Sequence, residues 1–339
     1  MRLKFTHLAA AAIMSMISLS ATAQNISGAG ATFPAPIYQR WADDAQKTLG
    51  FGINYQSIGS GAGINQITNR TVDFGASDAP LDTARLAANN LIQIPTVTGS
   101  IVLAYNLPGV APGSLRLTPD VLADIFLGNI THWNDVRITA INPGVALRRM
   151  AISATYRGDG SGTTWIFTNY LNRVSAQWRD QVGAGTSVRW PAGQGARGNE
   201  GVSNMVSRSP GSIGYVESSF AVINRLSVAQ LQNRDGNFVH PTAANVISAA
   251  QSAQFTAANG FVPDLLNQTG ATTWPIVGAT YVLIPNNPVS VERSRRVVEF
   301  LSWAFEHGDA SAARLHYVPL PSAVKQELLS NLRAALQIN

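Results

Sequence analysis

Arg157-Gly-Asp-Gly-Ser-Gly-Thr163 lies between the strand-like run Met150-Ala-Ile-Ser-Ala-Thr-Tyr156 and a helical stretch from Thr164 to Val174. Two other segments repeat this order of strand, small polar residues and helix. They are Gly28-Ala-Gly-Ala-Thr-Phe33, ahead of Pro34 and a helix through Tyr38 and Trp41, and Gly59-Ser-Gly-Ala-Gly63, ahead of Ile64–Thr68. A helix start leaves backbone N–H groups without partners and carries partial positive charge. Glycine lets those groups converge and Ser or Thr hydroxyls add donors, so each loop predicts an anion cradle made of neutral dipoles. A single loop of this kind is usually only a cap. Three of them, one carrying Arg157, point to a shared anion site.

Around these loops the pattern is mixed. Phe51–Ile58 alternates as a half-buried strand does, and Ile101–Tyr105 is a further strand. Ala35–Leu49 reads as a helix stopped at Gly50, and Ser290–His307 as one stopped at Gly308. Val324, Leu328, Leu332 and Leu336 recur every fourth residue, which predicts a last amphipathic helix. Strands alternating with helices imply α/β layers, and 339 residues suggest about two domains. The apolar stretches Pro95–Tyr105 and Trp274–Pro285 are the expected crossings between them. The first lobe would then combine residues 24–98 and 277–339, with 99–276 inserted as the second.

The N-terminus reads as a signal peptide over residues 1–23. Arg2 and Lys4 precede an apolar run from Leu8 to about Leu19, and Ala21-Thr22-Ala23 follows. That run is too short to span a bilayer, which needs about 20 apolar residues. No later stretch is long and apolar enough either, so a soluble, exported protein is expected. The chain has no cysteine, so neither a disulfide nor a lipidated cysteine is available, and a chain this long can bury a core without staples. Periplasm is the expected location, with secretion as the alternative.

Formal charge is +5, or +3 once Arg2 and Lys4 are removed, and Lys4, Lys47 and Lys325 are the only lysines. The densest basic cluster, Arg293, Arg295 and Arg296, has Glu292 and Glu299 beside it and reads as a solvated helix face rather than a nucleic-acid surface.

Specific enzyme and nucleotide motifs fail. A dinucleotide loop would need a third glycine where Phe33 and Thr163 stand, and no Gly-Lys pair exists for a P-loop. The nearest approach to a nucleophile elbow, Gly75-Ala-Ser77-Asp-Ala79, ends in alanine. His132, His240, His307 and His316 are scattered and lack metal-ligand spacing. No catalytic residue, metal or cofactor is therefore expected, against the alternative of a secreted phosphatase or esterase. Asp78, in Val72-Asp-Phe-Gly-Ala-Ser-Asp-Ala-Pro80, has two readings. It is either a turn aspartate capping local backbone or an acceptor facing a bound anion. An ionised carboxylate only accepts hydrogen bonds, so it would favour hydrogen phosphate over sulfate, which has no proton to offer at neutral pH.

GAGATFPAPIYQRWA, the GSGAG loop, VDFGASDAP, RGDGSGTT, GNEGV (Gly198–Val202) and GSIGYVE (Gly211–Glu217) occur in this order across nearly the whole mature chain. Together they resemble the phosphate-binding protein of the bacterial high-affinity phosphate ABC transporter, a periplasmic substrate-binding protein. The resemblance implies an α/β, two-lobed binding-protein fold, each lobe a mixed sheet flanked by helices, with two crossing segments as hinge and phosphate in the cleft. It implies contacts from the Thr32 and Phe33 backbone with the Thr32 hydroxyl, from Ser60, Asp78 and Arg157, and from Ser161, Gly162 and Thr163. Asp159 would position Arg157. The implied partners are inorganic phosphate and the inner-membrane permease subunits, with the protein a monomer. Ala62 stands where glycine is common and Gly158 where a side chain is common; neither is a ligand position. A binder of another oxyanion, sulfate or molybdate, shares everything except the acceptor logic at Asp78.

Overall fold

The chain's first strand, β1 (Ile26–Gly30), pairs on both sides, and this dual pairing organises everything that follows. The computed structural model describes residues 25–251 and 254–338; the signal peptide read over residues 1–23 lies outside them. After β1 come α1 (Ala35–Leu49), β2 (Ile53–Ser57), α2 (Ser60–Thr68), β3 (Phe74–Ser77), α3 (Thr83–Ala88) and the long strand β4 (Leu91–Tyr105). A middle section holds β5 (Arg116–Leu117), α4 (Pro119–Leu127), α5 (Val136–Ala140), β6 (Ser153–Arg157), α6 (Gly162–Val174), α7 (Ala176–Gln181), β7 (Gln194–Ala196) and α8 (Gly198–Arg208). It continues through β8 (Ser212–Glu217), α9 (Ser218–Ile223), β9 (Ser227–Val228), β10 (Gln230–Gln232), β11 (Phe238–Val239) and α10 (Ala243–Gln251). The chain closes with β12 (Val277–Pro285), α11 (Val291–His307), α12 (Asp309–Arg314), β13 (Val318–Pro319) and α13 (Ser322–Leu336).

The strands run in the order β2-β1-β3-β12-β4-β8-β6-β7, with β13 and β9 attached to β4. β4 changes partner midway: Leu91–Ser100 pairs antiparallel with β12, and Ile101–Tyr105 pairs antiparallel with β8. On one side of this strand β1, β2 and β3 run parallel to one another; on the other side β6, β7 and β8 do. The result is two mixed sheets joined by a shared strand, each flanked by helices. A small sheet, β11-β10-β5, lies apart. Parallel strands within a sheet put their carboxyl ends on one edge, where open α/β folds bind ligands.

The helices read from periodicity and caps form where expected. Gly50 takes φ 74° and returns its N–H to the Gln46 carbonyl, which ends α1. In α13, Leu328, Leu332 and Leu336 face inward, and Lys325 is buried with Nζ donating to the Phe305 carbonyl at 3.1 Å and paired with Asp309. The loop readings need correction. Gly28 and Gly30 are not loop residues: β1 continues through Gly30, which pairs with both Ser57 and Ala76. Likewise α2 begins at Ser60 rather than Ile64, and α6 at Gly162 rather than Thr164, so Ser60–Gly63 and Gly162-Thr163 are themselves helical.

The docking of α2 on β1 depends on Gly63. A Cβ there would lie 2.3 Å from the Gly30 Cα and 2.7 Å from the Ala29 carbonyl oxygen, and backbone cannot swing aside. Alanine would gain about 1 kcal/mol of helix propensity, but overpacking of this kind costs about 1–3 kcal/mol and occasionally more. Gly63→Ala is expected to be destabilising in chemical denaturation; an unchanged or raised midpoint would mean that α2 does not press on β1 this closely.

Candidate phosphate site

The expected residues converge at the facing strand ends. Thr32 and Phe33 leave β1, Ser60 opens α2, Asp78 follows β3, Arg157 ends β6, and Ser161 caps α6 ahead of Gly162 and Thr163. Every one of these polar side chains is at most 3% exposed. They form one network rather than separate buried spots. Ser60 Oγ accepts from the Gly162 N–H at 3.0 Å and from the Asp78 N–H at 3.3 Å, joining groups distant in sequence. The Gly61 N–H donates to the Gly160 carbonyl at 2.9 Å, closing the two sides further out. Ser161 Oγ accepts from the Thr164 N–H at 3.0 Å, an ordinary N-cap.

Arg157 is held from several directions. Its backbone N–H donates to the Tyr215 hydroxyl at 3.0 Å, and Nη1 donates to Thr163 Oγ1 at 3.3 Å. Nε and Nη2 donate to the two oxygens of Asp159 at 2.7 and 2.5 Å, a bidentate fork of the kind that fixes a guanidinium plane. An exposed ion pair would be worth only about 0–1 kcal/mol, but the Arg157 side chain is 1% exposed. Burial pushes the Asp159 carboxyl up, but its bonds to Arg157, the nearby positive charge and the Gly198 N–H together hold it below the usual carboxylate range. The cation of Arg157 is thereby already balanced, and an anion arriving here would be met mainly by dipoles.

Asp78 behaves differently. Its Oδ1 accepts from the Thr280 hydroxyl at 2.8 Å, while Oδ2 is buried without a hydrogen-bond partner. Burial raises its pKa to about 7, against smaller lowering effects from Thr280 and Arg157. Glu217, at the end of β8, shares this condition. Burial pushes its carboxyl up to about 8, opposed by its hydrogen bonding with Ser219 and Tyr317. The Tyr317 hydroxyl donates to the Phe33 carbonyl at 2.6 Å and lies 3.0 Å from Glu217 Oε2, so the carboxyl supports the Phe33 segment from behind. Both acids hold their protons more tightly folded than unfolded. The stability this lends the ligand-free protein is complete at low pH and lost as pH rises through about 7 and then about 8.

Several participants carry no signal in the sequence, Tyr215 and Tyr317 among them. Thr280 reaches Asp78 from β12, and Glu217 and Asn199 belong to motifs that were noticed without being given a role. Asn199, the second residue of α8, is fully buried between Thr32 and Thr163.

Comparison with known proteins places the chain in a family. The PBP superfamily domain model matches residues 18–307. The chain is 46% identical over 318 residues to the phosphate-binding protein PstS of Pasteurella multocida, covering 94% of this chain and 92% of that protein. It is 47% identical over 302 residues to the phosphate-binding protein PstS of Xylella fastidiosa, covering 89% and 83%. Among solved structures, a high-affinity periplasmic phosphate-binding protein (PfluDING) bound with phosphate matches with a TM-score of 0.73 and 26% identity, over 92% of this chain and 93% of that one. The two-lobed fold, the cleft network and these likenesses agree: the chain belongs to the PBP superfamily and, within it, to the PstS phosphate-binding proteins.

Proposed function

We propose that this protein binds inorganic phosphate between its lobes and hands it to the inner-membrane subunits of an ABC importer. The observation that carries the reading is Asp78, a buried carboxyl with one unpartnered oxygen amid helix-start amides and hydroxyls. Phosphate is an oxyanion that can bring its own proton to such an oxygen. Thr32, Phe33, Ser60, Ser161, Gly162 and Thr163 would supply donors, and Arg157 a charge-assisted contact fixed by Asp159.

The reading extends to the rest of the molecule. The lobes comprise residues 24–98 with 277–339, and 99–276. Its support is the change of partner along β4, where Ser100 pairs with Val277 and Ile101 with Glu217. Residues 1–23 direct export, the protein works in the periplasm as a monomer, and lobe closure accompanies capture.

Calorimetric titration of ligand-stripped protein with phosphate, sulfate being the competitor, tests the function directly. One phosphate per chain, undisturbed by sulfate in large excess, is expected; equal competition by sulfate would replace phosphate with a general oxyanion as ligand. In the same assay Arg157→Ala is expected to weaken phosphate about 100-fold, since charge-assisted hydrogen bonds contribute about 1.5–3 kcal/mol each. Wild-type affinity in that variant would put the arginine outside the site.

A further inference from the structure

We infer that Asn199 is a positioning residue that fixes the hydroxyl protons of Thr32 and Thr163 so that both can only donate to the anion; this rests on the phosphate reading above. The argument begins with which way the Asn199 amide points. Its Oδ1 accepts from the Glu217 backbone N–H at 3.0 Å. A backbone N–H can only donate, so this contact settles which end of the amide is oxygen and leaves Nδ2 facing the threonines.

Nδ2 donates to Thr32 Oγ1 at 2.7 Å and to Thr163 Oγ1 at 3.2 Å. Each threonine oxygen also receives a second donor. For Thr32 this is the Asn199 backbone N–H at 3.2 Å, and for Thr163 it is Arg157 Nη1 at 3.3 Å. A hydroxyl has two lone pairs and one proton. With both lone pairs engaged, each threonine retains only its proton to offer. Ser60 is treated in the same way, by the Gly162 and Asp78 N–H groups. Asn199 thus converts two ambivalent hydroxyls into committed donors without needing to touch the ligand, and it reaches Thr32 across the lobe boundary to do so.

Two substitutions in two backgrounds test this. Asn199→Ala is expected to weaken phosphate binding about 20-fold in the otherwise native protein, yet less than about threefold when Thr32→Val and Thr163→Val are already present. Asn199→Asp can keep the acceptor for Glu217 but replaces the donor by a second acceptor, turning both threonine protons towards the carboxylate. It is expected to bind more weakly than Asn199→Ala, with partial recovery as pH falls and most of the deficit absent in the double-valine background. A purely structural role predicts the opposite order, because aspartate is the closer shape, and equal losses in both backgrounds; either result overturns the assignment. Should Asn199→Asp not fold, the alanine cycle decides alone. Wild-type protein that fails to bind phosphate would instead sink the functional reading, so the two failures are distinguishable.

Discussion

Asp78→Asn is expected to collapse the preference for phosphate over sulfate by about 10³-fold, in competition titrations near neutral pH. Sites that depend on one required hydrogen bond reject close analogues by about 10⁴–10⁵-fold, so most of that discrimination would go. Phosphate itself suffers less. An amide oxygen can still accept from the phosphate hydroxyl, and loss of the charge-assisted bond costs about 1.5–3 kcal/mol, or about 10- to 150-fold. Sulfate gains, because the amide N–H₂ replaces a carboxylate oxygen that would have faced it acceptor to acceptor. The raised pKa of Asp78 adds a pH signature. As pH falls through about 7 the carboxyl takes up a proton and becomes a donor, so wild-type affinity for sulfate should rise and then level off. In the asparagine variant the same curve should be flat across that range. An unaltered phosphate-to-sulfate ratio in Asp78→Asn would remove this residue from the filter.

Gly162→Ala should weaken phosphate binding about 100-fold by obstructing closure rather than by removing a contact. A Cβ at this position would lie 2.5 Å from both Cβ and Oδ2 of Asp78 and 2.7 Å from its backbone nitrogen. Gly162 opens α6 while Asp78 follows β3, so the added methyl would wedge these two elements apart. Overpacking costs of about 1–3 kcal/mol, at 1.4 kcal/mol per tenfold, set the scale. The strain can be relieved by opening the cleft, so thermal unfolding of the ligand-free protein should change little while affinity falls. If affinity stayed within a factor of two of wild type, the bound state could not bring α6 and Asp78 as close as they are here.

The residues that were easiest to read from sequence are those whose signals are local. α1, α11 and α13 carry their own apolar stripes, and α1 and α11 also have glycine or serine caps, so neighbours in sequence suffice to define them. Ser60, Arg157 and Ser161 stood out because each is attached to a glycine-rich turn. What was missed is non-local. Thr280 reaches Asp78 only because β12 pairs antiparallel with β3, 202 residues apart at the contact. Asn199 meets Thr32 across 167 residues, and nothing in Gly198–Val202 indicates that partner. Gly28-Ala-Gly30 reads as a loop because glycine favours turns, yet strands on both sides hold it extended. The short strands β5, β9, β10 and β11 are two or three residues long, too brief to show any alternation.

The fifteen residues of β4 belong to both halves of the molecule at once. Separating the halves genetically would not yield two self-sufficient modules. Whichever piece lost β4 would expose the bare flank of β12 or β8, a row of unsatisfied amides and carbonyls of the sort that recruits foreign strands into aggregates. In the proposed capture of phosphate, closure would then flex this intact ribbon, and a crossover designed between relatives would have to carry the strand over whole.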